Sequence, residues 1–259
     1  MPVVKLARGH FNIELAGKES APPLLISNSL GTNLNMWEDQ MPALTERFRV
    51  IRYDSRGHGQ SIAEKGPYSI AQLGGDALAI LDELKIAKAH WLGLSKGGMV
   101  GQWLLTHAPE RLNKAILANT GAYMGPPNNW NTRIRTVYAK GMPAITGAVI
   151  ERWFTPEFVQ KAPAAVERIA AMLKSTPAQG YAGCCGAIRD MDQRESIRSV
   201  QGKDVLVIVG TRDPATPPAA GELIQRNIAG AKIARLDAAH LSNVEQPEAF
   251  TKTILEFLA

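Results

Sequence analysis

The residues of this chain best suited to chemistry are Gly93-Leu94-Ser95-Lys96-Gly97, a G-x-S-x-G sequence between a short apolar run and an amphipathic one. A serine hydroxyl is a poor nucleophile at neutral pH. It needs a base to take its proton and a third group to hold that base in one tautomer. A strand-to-helix turn at G-x-S-x-G supplies the nucleophile's half of such a site. The turn is so sharp that the serine takes strained backbone angles, and the glycines remove side chains that would collide. The hydroxyl is left at the start of a helix, where N–H groups and the helix dipole favour developing negative charge. The same five residues also fit an ordinary glycine-rich turn, so partners elsewhere decide their meaning.

Two partners stand in the right order. Asp213 lies in Gly210-Thr211-Arg212-Asp213-Pro214, directly after the apolar run Asp204 to Gly210, and His240 follows the run Lys232 to Leu236. Serine, acid, histidine is the chain order of hydrolases built on this turn. Asp213 can also be read as a turn cap, and Asp237 is a rival acid. Asp237, however, is so close to His240 in sequence that reaching the imidazole edge would contort the loop. The other histidines are poorer bases: His10 is near the terminus, His58 is in a glycine-rich loop, His90 is in or entering a strand, and His107 ends a helix, where a cation is favoured. An oxyanion needs donors as well. The backbone N–H of Lys96 supplies one and that of Leu30, after an early strand, the other. Gly31 beside Leu30 lets that loop approach the substrate closely.

The elements that must position these groups follow from hydrophobic patterning. Strand-like runs occupy Phe11 to Leu15, Pro23 to Asn28, Arg49 to Tyr53, His90 to Leu94, Leu112 to Asn119, Asp204 to Gly210 and Lys232 to Leu236. Helix-like runs include Ser69 to Leu84, with Ser69 as N-cap, then Gly97 to His107, Pro217 to Ile228 and Gln246 to Leu258. Strands alternating with helices predict an α/β fold with a mainly parallel twisted sheet covered on both faces. From Gly121 to about Val200 the strands stop and helical segments take over. The expected division is a core of residues 1–121 and 201–259 with a helical cap, 122–200, inserted in it.

Composition narrows the class. The chain has 259 residues, 45% hydrophobic and 20% charged, within the range of a folded globular protein. The formal charge of +5 is spread rather than gathered into a stripe, which argues against nucleic-acid binding and suits a small anionic substrate. No run approaches the roughly 18 apolar residues of a membrane span, and the N-terminus lacks a signal-peptide core. The two cysteines, Cys184 and Cys185, are adjacent, with no metal-ligand spacing, and read as reduced, semi-buried thiols of a cytoplasmic protein. No metal or cofactor is implied, and oligomeric state is left open. The segment Asp54-Ser55-Arg56-Gly57-His58-Gly59-Gln60-Ser61 holds Asp, Arg and His together, but alternate glycines make it a tight loop, with Asp and Arg pinning it by charge-assisted hydrogen bonds.

Through Gly93–Gly97, the D-x-R-G-x-G-x-S loop, Asp213 and His240 the chain resembles the α/β-hydrolases. Within them, Ser27-Asn28-Ser29-Leu30-Gly31-Thr32, Gly98 to Trp103, Cys184 to Asp192 and Ala239 to Pro247 resemble the 3-oxoadipate enol-lactonases. The resemblance spans nearly the whole chain. It implies cytoplasmic, cofactor-free hydrolysis of a carboxylated enol-lactone in protocatechuate degradation, with Ser95 attacking the carbonyl, His240 taking its proton and Asp213 orienting His240. The substrate carboxylate then needs a cation in the cap. Trp130 and Arg133, three apart on one helix face, resemble a family W-x-x-R arrangement, although Arg133 can equally be a solvated charge like Arg135. Arg189 is the next choice, better paired with Asp190 or Asp192. The chain departs from the family at Lys96, where an apolar residue such as Met is expected; a basic side chain there bears on substrate preference. The competing readings are a general carboxylesterase, a C–C bond hydrolase of ring-cleavage products, a cofactor-free perhydrolase, or a non-catalytic ligand-binding protein on the same fold.

Overall fold

The strand that ends at the serine runs through the middle of the sheet. The computed structural model describes residues 3–259, so the first two residues of the 1–121 segment lie outside it. The sheet has eight strands: β1 (Val3–Leu6), β2 (Gly9–Ala16), β3 (Pro23–Ser27), β4 (Arg49–Tyr53), β5 (Ala89–Leu94), β6 (Leu112–Ala118), β7 (Asp204–Gly210) and β8 (Lys232–Leu236). Their spatial order is β1-β2-β4-β3-β5-β6-β7-β8. β1 and β2 form an antiparallel hairpin, β2 pairs antiparallel with β4, and every later pairing is parallel. β1 is a strand that hydrophobic patterning did not indicate. Its four residues, VVKL, are too short to show a period.

Parallel strands covered on both faces read as continuous apolar runs, which is why β3, β5, β6 and β7 were legible. Trp91, Leu92 and Leu94 of β5 and Val205, Val207 and Ile208 of β7 are fully buried. Helices flank the sheet: α1 (Met41–Arg47), α2 (Ile70–Glu83), α3 (Lys96–His107), α9 (Pro218–Asn227), the single-turn α10 (Ser242–Glu245) and α11 (Pro247–Leu258). Ser69 caps α2 as expected, its Oγ accepting from Gln72 N–H at 3.0 Å. Between β6 and β7 lie α4 (Pro127–Lys140), α5 (Pro143–Trp153), α6 (Pro156–Lys161), α7 (Pro163–Ser175) and α8 (Ala178–Asp190), without a strand among the described residues beyond a single bridge, Tyr123 to Asp192. Cys184 and Cys185 are free thiols, fully rather than partly buried on α8. No described helix is long and apolar enough to cross a membrane.

Successive parallel strands place their C-terminal ends along one edge, the position where open α/β sheets hold ligands. Leu30 follows β3, Ser95 follows β5, Asn119 follows β6, Asp213 follows β7 and His240 follows β8.

Candidate active site

Ser95 has φ 57° and ψ −113°, the strained conformation that its turn demands. The glycines explain how that turn closes. A Cβ on Gly93 would stand 2.2 Å from the Gly97 carbonyl oxygen, and one on Gly97 would stand 2.2 Å from that of Ser27. The turn is then fastened from outside. Ser95 N–H donates to the Ala118 carbonyl at 2.9 Å, Gly97 N–H to Asn28 at 3.2 Å, and Thr120 Oγ1 to the Ser95 carbonyl at 2.7 Å.

His240 is buried and its Nδ1 lies 2.9 Å from Asp213 Oδ2. The carboxylate takes four further donors: Ala215 N–H (2.8 Å) and Thr216 N–H (2.9 Å) on Oδ1, Thr216 Oγ1 (2.6 Å) and Asn119 Nδ2 (3.0 Å) on Oδ2. Burial alone pushes this acid up; the His240 ring and the hydrogen bonds from His240 and Thr216 outweigh it and hold Asp213 below the ordinary carboxylate range. Sequence reasoning missed Asn119 and Thr216. The signal for Thr216 was present, a hydroxyl three residues after an acid in a turn. Asn119 sits at φ 44°, directly after a strand end, and is held by Ser242 Oγ donating to its Oδ1 at 2.6 Å. Asp237, the rival acid, is exposed, and the carboxylate on the imidazole is that of Asp213.

Glu245 closes the histidine loop from below. Its carboxylate accepts from Ala239 N–H at 2.9 Å and from the Thr155 hydroxyl, tying the loop to the start of α6, which Thr155 caps. The Trp153 ring stacks near His240 at a centroid distance of 6.4 Å.

Ser29, Leu30, Ser95 and His240 line one cavity of about 240 Å³, whose other wall includes Trp130, Arg133 and Arg152. Ser95 Oγ and His240 share this space without a hydrogen bond between them; in unliganded sites that contact is often long and tightens with substrate. Among the described residues neither the Leu30 nor the Lys96 N–H has a protein acceptor, whereas the Gly31 N–H donates to His58 Nε2 at 2.8 Å. A larger groove, about 840 Å³ between α1 and α11, holds none of these residues. Among the described residues no group of three His, Cys, Asp or Glu is placed to hold a metal ion.

The helical wall bears out the expected shared face of Trp130 and Arg133. The Arg133 guanidinium lies 4.9 Å over the Trp130 ring, whose Nε1 donates to the Met124 carbonyl at 2.6 Å. Arg152, from the next helix, joins it and was missed, because nineteen residues and a turn separate the two arginines in sequence. Its charge is disfavoured by burial and by Arg133 nearby, and its Nε donates only to its own helix, at Ala148. Neither arginine has a carboxylate partner among the described residues. Arg189 does: it makes a two-pronged pair with Asp190 at 2.7 Å.

Two expectations change. Lys96 does not line the cavity. Its side chain is 1% exposed, packed beneath the site, and burial lowers its pKa against the opposing pull of Cys184, Asp54 and Asp76. Gly31 serves conformation and packing rather than substrate approach: it has φ +84°, and a Cβ there would meet Leu173 Cδ1 at 2.4 Å. The D-x-R-G-x-G-x-S loop is pinned by its Asp and Arg as expected. Arg56 pairs with Asp76 of α2 at 2.8 and 2.9 Å, while Asp54 accepts from Asn12 Nδ2, Leu34 N–H and Gln60 N–H. His58, fully buried, donates from Nδ1 to the Arg56 carbonyl and accepts from Gly31, so this loop props the Leu30 loop; burial and then Lys96 hold the ring pKa well below its usual value, keeping it neutral.

A serine in a strained turn, a buried Asp–His pair and unpaired N–H groups at one sheet edge define a hydrolase of the α/β class. The α/β-hydrolase fold family matches residues 22–247 of this chain. It is 42% identical to 3-oxoadipate enol-lactonase 2 of Acinetobacter baylyi over 94% of this chain and 91% of that protein. The crystal structure of the enol-lactonase from Burkholderia xenovorans LB400 superposes with a TM-score of 0.97 at 42% identity, covering 99% of each chain. That of a hydrolase from Pseudomonas aeruginosa PA01 does so with 0.97 at 45%, covering 100% of this chain and 98% of that one. The chain belongs to the α/β-hydrolase fold family and, within it, to the family of the 3-oxoadipate enol-lactonases.

Proposed function

We propose that this protein hydrolyses 3-oxoadipate enol-lactone to 3-oxoadipate, with Ser95 as nucleophile, His240 as base and Asp213 as its orienting acid. The observation that carries the reading is one cavity lined by Ser95, by His240 with Asp213 behind it, and by two arginines that have no carboxylate partner among the described residues. Ser95 Oγ attacks the lactone carbonyl as His240 Nε2 takes its proton, and the oxyanion forms between the Leu30 and Lys96 N–H groups. The ring C–O bond breaks, the ring oxygen takes the proton from His240 as an enol, and the enol becomes the ketone. Because the ester is cyclic, nothing departs at this step. Water, deprotonated by His240, then attacks the acyl carbon and Ser95 leaves with that proton.

In this reading residues 122–200 are a cap on the core of 1–121 and 201–259, and Trp130, Arg133 and Arg152 hold the substrate carboxylate away from the reacting carbon. The new carboxylate appears at the opposite end of the cavity, so the two negative charges of the product are kept apart. Its setting is the cytoplasm and the breakdown of aromatic compounds, as the family resemblance implies. The test follows loss of the enol-lactone's ultraviolet absorbance beside a p-nitrophenyl ester and a ring-cleavage dienone. Rapid lactone turnover that falls on the order of 10⁶-fold in Ser95→Ala is expected. Rapid ester hydrolysis with the lactone untouched would defeat the substrate assignment.

A further inference from the structure

Among the described residues, seven buried side-chain nitrogen or oxygen atoms have no hydrogen-bond partner, and of these only Ser29 Oγ belongs to a residue lining the cavity. Ser29 is 1% exposed, so water does not substitute for the missing partner across most of its surface. A hydroxyl withheld from water and left unpaired costs free energy, and such a group at a ligand cavity is explained when the ligand completes it.

The rest of Ser29 is fully committed. Its N–H donates to Met36 Sδ at 3.4 Å, and its carbonyl accepts from Thr32 N–H at 3.3 Å and Thr32 Oγ1 at 3.0 Å. The following residues sort in the same way. Leu30 N–H has no acceptor, while Gly31 is held at both ends, N–H to His58 Nε2 at 2.8 Å and carbonyl from Thr176 Oγ1 at 3.2 Å. The loop is thus rigid at its flanks and leaves two consecutive donors free, the Ser29 hydroxyl and the Leu30 N–H.

We propose that Ser29 Oγ–H is a third donor to the oxyanion formed on the Ser95-bound acyl carbon, beside the main-chain N–H groups of Leu30 and Lys96. This rests on the acyl-transfer reading above. A neutral hydroxyl next to Leu30 suits a charge that appears only during reaction, whereas the permanent substrate charge has the two guanidinium groups on the helical wall. Of the three donors it is the one that substitution can delete.

The experiment uses the full chain with Ser29→Ala and Ser29→Cys, the second retaining size with a weaker donor. It measures kcat and KM on the enol-lactone and on a p-nitrophenyl ester. It also measures inhibition by a trifluoromethyl ketone, which forms a hemiketal oxyanion on Ser95, and the melting temperature. Expected is a loss in kcat of about 10- to 100-fold on both substrates in Ser29→Ala, with KM little changed. Ketone binding should weaken by a similar factor, Ser29→Cys should fall between, and melting should not drop. Unchanged kcat, a rise in KM alone, or lost kcat with unchanged ketone binding would overturn the proposal. Should Ser29→Ala not fold, the Ser29→Cys variant carries the same comparison. Should the wild type ignore the lactone, the ester and ketone measurements still judge Ser29, while activity surviving in Ser95→Ala would sink the acyl-transfer reading itself.

Discussion

The two walls of the cavity are built on opposite principles. On the wall made by the strand ends, the groups that hold the histidine are satisfied within the protein: Asp213 receives five donors, and Asn119, which gives one of them, is itself fixed by Ser242. On the helical wall, Arg133 rests on an indole and Arg152 on its own helix, with no carboxylate for either among the described residues. A histidine held in this way is rigid, and in the proposed reaction the neutral donors left open beside it serve whatever ester carbonyl reaches them. In the proposed function the helical wall, with its unpaired cations, is completed by the anionic substrate and chooses it. On that proposal catalytic power and selectivity reside in different segments of one chain, and substitutions on the two walls should be separable in kcat and KM.

The sharpest way to break this comparison is Asp213→Asn. The amide presents a donor where an acceptor is required, so the imidazole loses its working tautomer; kcat should fall about 10⁴-fold on lactone and neutral ester alike. A loss confined to the lactone would mean that the strand-end wall also selects. Next come Arg133→Ala and Arg152→Ala. Each should raise KM for the anionic lactone about 10- to 100-fold while changing a neutral p-nitrophenyl ester little, the loss of a charge-assisted contact being worth that factor. Equal effects on both substrates would reduce the arginines to packing.

The smallest effect concerns Lys96, the cation on the rigid side. Burial lowers its pKa below 10.5, so between its folded value and 10.5 the unfolded chain binds more protons than the folded one. Stability of the wild type therefore rises with pH through that window, and the penalty is fully present below it. Lys96→Met should stabilise the protein by about 1–4 kcal/mol at pH 7, the range for replacing buried ionic groups by apolar side chains of similar volume. In urea unfolding the gain should shrink as pH approaches 10.5, with kcat retained because the N–H at 96 remains. A destabilised variant would show that Asp54 and Asp76 outweigh the burial.

What sequence could and could not reveal follows from the range of each interaction. His58 and His240 are both fully or nearly buried histidines in loops after strands, yet one is a neutral prop and the other faces a carboxylate. Chain order separated them, because the serine–acid–histidine order is a property of the topology. The partner of Arg56 was not legible: Asp54 is two residues away and Asp76 is twenty, and only the packing of α2 brings the second into contact. Arg152 and Ser29 escaped for the same reason, since nothing in their neighbours marks them as facing a cavity.

The sequence by itself determined the alternation of strand and helix, the strained serine turn through Gly93 and Gly97, the order of Ser95, Asp213 and His240, and the shared face of Trp130 and Arg133. These depend on local sterics, periodicity and chain order. Only the tertiary structure decided which polar groups end up partnered: Asn119 and Thr216 on Asp213, Lys96 turned into the core, Arg152 beside Arg133, and the Ser29 hydroxyl left open. Hydrogen bonding and desolvation act between groups brought together from distant parts of the chain, and the sequence around each group does not say what it will meet.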